Sequence, residues 1–250
     1  MNAFIRSLGQ GEARIGLWQA LANPYTAEIA AGAGFDWLLF DGEHAPNTAQ
    51  TLLAKLQAVA PYPVAALARV PVGDPVVIKQ YLDIGFQTLL VPMVGSAAQA
   101  AAIVAATRFP PRGIRGVASS TSRASGFGTN QRYLAEAHEK TGVIVQIESA
   151  DGLAAIEQIA AVDGVDALFI GPADLAGSLG HLGDPRHAEV QAAIDDALRR
   201  IRAAGKPAGI FALDADDAAR RIADGAAFVS VGSDIGLLAA GARQLRQRFA

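Results

Sequence analysis

Eight short apolar, β-branched runs alternate with Ala-rich segments of helical periodicity along the chain. The runs are Arg14–Ala20, Trp37–Phe40, Val64–Val70, Thr88–Pro92, Val143–Glu148, Ala167–Gly171, Pro207–Leu213 and Phe228–Gly232. Between them, stretches such as Thr48–Ala60 and Ala188–Ala204 carry apolar residues at i, i+3, i+4 and i+7. Near-continuous apolar strands alternating with helices imply a parallel sheet covered on its outer face. Eight such units close naturally into a (β/α)8 barrel, here a single domain over residues 1–250. An open doubly wound sheet is the structural rival, and it more often has five to seven strands. Glycines before several strands, as in AGAGFDWLLF and IADGAAFVSV, fit helix C-terminal positions.

Composition narrows the chemistry. Charged residues make up 18% of the chain, the net charge is −3 and the basic residues are scattered, which argues against a nucleic-acid partner. Cysteine is absent, so disulfides, thiolate metal sites and cysteine nucleophiles drop out. No stretch approaches the ~18 apolar residues of a membrane span, and the N-terminus lacks the apolar core of a secretory signal. The expectation is a cytoplasmic protein.

In such a barrel, chemistry sits where strands end. The second run ends in Asp41-Gly42-Glu43-His44, the third carries Arg69, the fifth places Gln146 and Glu148, and the sixth leads to Asp174. Period-2 alternation puts Gln146 with Glu148, and Leu67 with Arg69, on one side of their strands. Glu148 and Asp174 lie 26 residues apart (174 − 148), about one βα unit, so adjacent strands should present them. Two carboxylates suit a hard cation such as Mg²⁺ or Mn²⁺. Helix capping is the competing reading for Asp41 and Asp174. It fits Glu148 poorly, because a glutamate closing an apolar strand is costly to bury unpaired. Arg69 suits an ion pair, capture of a carboxylate, or stabilisation of an enolate oxygen. His44, three residues after Asp41, is the candidate general base, with Asp41 orienting its imidazole.

A Schiff-base aldolase needs a lysine projecting into the barrel. Lys55 and Lys79 fall in helical patterns and Lys140 and Lys206 precede strands, so none is placed for that role. The Gly-, Ser- and Pro-rich segment Arg108–Thr129, following the fourth strand, reads either as a surface loop or as a cover over the barrel top. VSVGSDIG reads as a turn in which Asp234 caps the last helix, or as a phosphate-gripping turn.

FDWLLFDGEHAPN, ALARVP, GFQTLLVPMV, PPRGIRGVASS, VIVQIESADGL and FIGPADLAGSLG together resemble the class II pyruvate aldolases of the 4-hydroxy-2-oxoheptanedioate aldolase family, within the phosphoenolpyruvate/pyruvate barrel superfamily. The resemblance implies cleavage of 4-hydroxy-2-oxo acids, of the 4-hydroxy-2-oxoheptanedioate or 2-keto-3-deoxy sugar acid type, to pyruvate and an aldehyde. It implies a divalent metal (Mg²⁺, Mn²⁺ or Co²⁺) on Glu148 and Asp174, chelated by the keto oxygen and carboxylate of pyruvate. Arg69 would stabilise the enolate, and His44 with Asp41 would serve proton transfer. Gln146 would line the pocket, and the backbone at Gly171, Pro172, Ala173 and Asp174 would bind the carboxylate. It also implies a homohexamer built as a trimer of dimers, with the last helix swapped between subunits and Asp83 reaching a neighbour's site. An oxaloacetate decarboxylase or acyl-CoA lyase on the same enolate site is the alternative; a catalytically silent barrel is the rival of a different class.

Overall fold

The computed structural model describes residues 2–249. Eight parallel strands pair in chain order and the last closes onto the first, which completes the barrel. They are β1 (Arg14–Gln19), β2 (Trp37–Asp41), β3 (Ala65–Arg69), β4 (Thr88–Val91), β5 (Gly142–Ile147), β6 (Ala167–Ile170), β7 (Ala208–Phe211) and β8 (Phe228–Ser233). The helices are α1 (Ala3–Ser7), α2 (Pro24–Ala31), α3 (Ala49–Val59), α4 (Pro75–Asp83), α5 (Ala97–Thr107), α6 (Tyr133–Lys140), α7 (Ala150–Ala154), α8 (Ile156–Ala160), α9 (Pro172–Ser178), α10 (Ala188–Ala203), α11 (Ala215–Ala223) and α12 (Asp234–Gln247).

The strand positions expected from the sequence hold, with ends shifted by one or two residues. Glu148 and Gly171 fall just past the assigned ends of β5 and β6: the Glu148 carboxylate accepts the Met93 amide, and Gly171 donates its own amide to Ile147 O (3.2 Å) before α9 begins. Pro92 and Pro207 likewise fall outside the strands, having no N–H to donate.

Two apolar layers result. The larger lies between barrel and helices and includes Leu38, Phe40, Leu89, Val145 and Ile210. The smaller fills the lumen with Trp18, Trp37, Leu39, Leu67, Phe169 and Phe228. Strand parity therefore runs as expected, since Leu67 and Arg69 share the lumen side, as do Ile144, Gln146 and Glu148. Phe4 and Leu8, from the N-terminal helical turn and its edge, close the lumen from below. Phe4 meets Phe228 edge-on at 5.9 Å, the tilted geometry that aromatic quadrupoles favour. Gly16 leaves room for this filling, because a Cβ there would lie 2.1 Å from the Trp37 ring.

The segment Arg108–Thr129 does not cover the barrel top. The Ala-rich α5 first carries the chain down the outside, so the segment begins at the opposite end and leads through α6 into β5. There Arg123 donates to Ile84 O (3.1 Å), just after α4. Of the two readings the surface loop stands, because α5 returns the chain to the other end of the barrel before the segment begins.

Candidate active site

The mouth at the C-terminal ends of the strands opens into a cavity of about 370 Å³. Its polar lining includes Arg69, Gln146, His44 and Asp174, and its apolar lining includes Trp18, Phe169, Phe211 and Leu213.

Asp41 and Arg69 are register neighbours on β2 and β3, so their lumen-facing side chains meet. The pair is bidentate, Arg69 donating from Nε (2.9 Å) and Nη2 (2.7 Å) to the two carboxylate oxygens. Nη1 lies 2.9 Å from Glu43 Oε2, and the guanidinium sits 4.9 Å from the Trp18 ring centroid. Trp18 Nε1 donates to Asp41 (3.1 Å). Burial works to raise the Asp41 carboxyl, and Arg69 with the Glu43 amide and Trp18 outweighs it, holding the group below its ordinary value. A guanidinium fixed on three sides is set in advance for developing negative charge.

That geometry corrects the expected role of Asp41. Its carboxylate accepts the backbone N–H of His44 (3.3 Å) but does not hold the imidazole. The ring has left the strand for the mouth, where its side chain is 66% exposed and Nε2 lies 3.9 Å from Glu43 Oε2.

Glu148, like Asp41, is a buried acid of the set, 2% exposed. It accepts from the Met93 amide (2.8 Å) and from Gln146 Nε2 (2.5 Å). Burial pushes its carboxyl up to about 7, with Asp174 and Glu43 adding to the rise. Asp174 stands in the first turn of α9 at the exposed rim. Among the described residues an anionic Glu148 thus has acidic neighbours and one nearby cation, Arg69, already committed to Asp41 and Glu43. Gln146 Oε1 is buried without a hydrogen-bond partner. Gly171 keeps the spot open, because a Cβ there would lie 2.4 Å from Glu148 Oε2 and 2.6 Å from Gln146 Nε2. An all-oxygen donor set with excess negative charge fits a hard divalent cation.

The mouth thus brings together Asp41, His44, Arg69, Gln146, Glu148 and the Gly171–Asp174 turn. It does not include Asp83. That residue ends α4 and accepts from Arg115 Nη2 (2.6 Å), next to Tyr133. Trp18, Glu43 and Met93 were missed. Lumen parity on β1 points to Trp18, and Glu43 stands inside the acidic run already noticed. Met93, a non-glycine residue at φ 56°, carries no sequence signal.

Lys55 is fully buried on α3 and lies outside the cavity lining. Its Nζ donates to Leu21 O (2.7 Å) and Gln19 O (3.3 Å). At the eighth strand, Ser233 caps α12 by accepting the Gly236 amide, while the Asp234 carboxylate takes the amides of Ala20 and Leu21. Capping is therefore the correct reading of that turn, with Ser233 in place of Asp234.

Fold and site together define a (β/α)8-barrel protein whose C-terminal mouth holds a cation-suited carboxylate pair and a fixed guanidinium. Residues 14–240 match the HpcH/HpaI aldolase/citrate lyase family model, and the chain belongs to that family. It is 56% identical over 249 residues to a hydroxypyruvate/pyruvate aldolase of Pseudomonas aeruginosa, covering 100% of this chain and 93% of the relative. It is 53% identical over 248 residues to a 4-hydroxy-2-oxo-heptane-1,7-dioate aldolase of Salmonella heidelberg, covering 99% and 94%. A crystal structure of a family member from Burkholderia cenocepacia superposes with a TM-score of 0.96 at 41% identity, covering 100% of this chain and 99% of that one.

Proposed function

We propose that the protein is a divalent-metal-dependent carbon–carbon lyase that reversibly cleaves 4-hydroxy-2-oxo acids to pyruvate and an aldehyde. The observation that carries this reading is the buried Glu148, its carboxyl raised to about 7 beside Asp174 and bonded to Gln146, which lines the same cavity as Arg69. The names of the two relatives support the reaction class. One of them points to pyruvate or hydroxypyruvate as the 2-oxo acid half.

Glu148 and Asp174 would hold the cation, Mg²⁺, Mn²⁺ or Co²⁺. When bound, it supplies Lewis-acid charge for the carboxylate and keto oxygen of the 2-oxo acid. The chain's own groups do the rest. The α9 N-terminus, which has no side-chain cap, offers backbone amides to the substrate carboxylate. His44, exposed at the rim, takes the 4-hydroxyl proton as the C3–C4 bond breaks and the aldehyde leaves. Arg69 carries negative charge developing on the enolate oxygen, and Asp41 and Trp18 keep its guanidinium in place. Phe169, Phe211 and Leu213 exclude water until the enolate is protonated at carbon.

Assembly belongs to the same proposal. Along α12, Leu237, Leu238 and Leu245 are 60–63% exposed, and Ile29 on α2 is 64% exposed. An apolar groove lined by Leu17, Ile29, Phe35 and Leu237 runs between α2 and α12. An apolar face of this extent needs a cover. Exchange of α12 between subunits of a homohexamer supplies it, and Asp83 would then act in a neighbour's site. Among the described residues no helix is long and apolar enough to cross a membrane.

The test is Glu148→Gln and Asp174→Asn, assayed for aldehyde release and for Mn²⁺ binding. Loss of both in each variant supports the site; full activity in either removes that residue from it. Carbon dioxide release in place of an aldehyde would move the reading to the decarboxylase alternative.

A further inference from the structure

The connection between α9 and α10 holds a separate set of metal-ligating side chains. His181 lies just past α9, with its N–H donating to Ala176 O (2.8 Å). Two turns, Asp184 N–H to His181 O (2.9 Å) and His187 N–H to Asp184 O (3.1 Å), fold the chain back on itself. His187 thereby becomes the residue that caps α10. The two imidazoles are stacked, with centroids 3.6 Å apart and planes at 15°. Glu189, in the first turn of α10, places Oε2 2.8 Å from His181 Nε2. One donor atom from each residue lies within 4.8 Å of the other two.

We propose that His181, His187 and Glu189 form a second cation site, taking a borderline transition ion of the Zn²⁺ type. Imidazole nitrogens select Zn²⁺, Co²⁺, Ni²⁺ or Cu²⁺, whereas the all-oxygen set at Glu148 suits Mg²⁺ or Mn²⁺. Two histidines and one glutamate are a zinc donor set that leaves a fourth position for water. Bonds of roughly 2.0–2.1 Å to a tetrahedral ion separate donors by roughly 3.4 Å, so small side-chain rotations close the present spacing. The backbone turns hold all three residues in place beforehand, which lowers the entropy lost on binding.

One existing contact opposes capture. The Glu189 amide donates to His187 Nδ1 (3.3 Å). An ion on Nδ1 displaces that bond directly. An ion on Nε2 puts the ring proton on Nδ1 and removes it as an acceptor. Either way the bond is lost, and it is a long one.

The test is Zn²⁺ titration calorimetry on EDTA-stripped full-length chain carrying Glu148→Gln, so the outcome does not depend on the reaction. One Zn²⁺ per chain is expected, unaffected by excess Mg²⁺. Adding His187→Asn, which keeps a good helix cap while removing the imidazole, should weaken Zn²⁺ binding at least ~10-fold. In the otherwise unaltered chain, His187→Asn should lower the Zn²⁺ stoichiometry from two to one, which covers the case of a Glu148→Gln chain that fails to fold. No saturable Zn²⁺ binding at sub-millimolar concentration, or an isotherm unchanged by His187→Asn, would overturn the site.

Discussion

Glu148 combines burial with acidic neighbours, and its titration follows from that. A carboxylate must be deprotonated to hold a cation, so protons compete with metal wherever the carboxyl is protonated. With that carboxyl at about 7, apparent Mn²⁺ affinity should fall about tenfold per pH unit below neutrality. Calorimetry between pH 5.5 and 8 checks this, and a flat dependence would contradict the assignment. Arg69 is the other decisive residue. Arg69→Ala should lower kcat by ~10²-fold or more, the effect of losing one oxyanion donor. Arg69→Lys should rescue little of it, because an ammonium cannot reproduce the bidentate bond to Asp41 and the contact to Glu43. Strand parity made Arg69, Gln146 and Glu148 legible in the sequence. The partner of Asp41 was not, since which side chain it meets depends on the register of β2 against β3.

Elements deliver these residues through their ends. β5 hands Glu148 to the mouth, and the turn into α9 must pass close by, which is why Gly171 lacks a Cβ. Gly171→Ala should leave the circular dichroism spectrum intact and weaken Mn²⁺ binding at least ~10-fold, by displacing the Glu148 carboxylate. On the outside of β1 and β2, Lys55 braces α3 against the β1–α2 turn. Burial pushes its ammonium down to about 8, against Asp234 and Asp41, which favour the charged form. Between pH 8 and about 10.5 the unfolded chain holds this proton and the folded chain does not, so stability from this group rises with pH. The rise should be about 2 kcal/mol between pH 8 and 10 and be absent from Lys55→Met, as read by urea unfolding at those two pH values. Helical periodicity placed Lys55 on a helix, but it does not report that the helix buries this residue against carbonyls.

The whole molecule is a barrel whose eight units were legible because each carries its own apolar run. The route of the chain after β4 was not, since α5 is too rich in alanine to declare a face. The last helix raises the question of assembly. Exchange of α12 predicts that light scattering finds six times the 25.8 kDa chain mass, and that Leu237→Glu with Leu238→Glu dissociates it. A monomeric unaltered protein would contradict the exchange. The central claim is tested most directly by pyruvate release from 4-hydroxy-2-oxo acids, coupled to lactate dehydrogenase, before and after EDTA and with Mn²⁺ or Mg²⁺ restored. Release that EDTA abolishes and metal restores is the predicted result. Release that survives thorough chelation would contradict the carboxylate site.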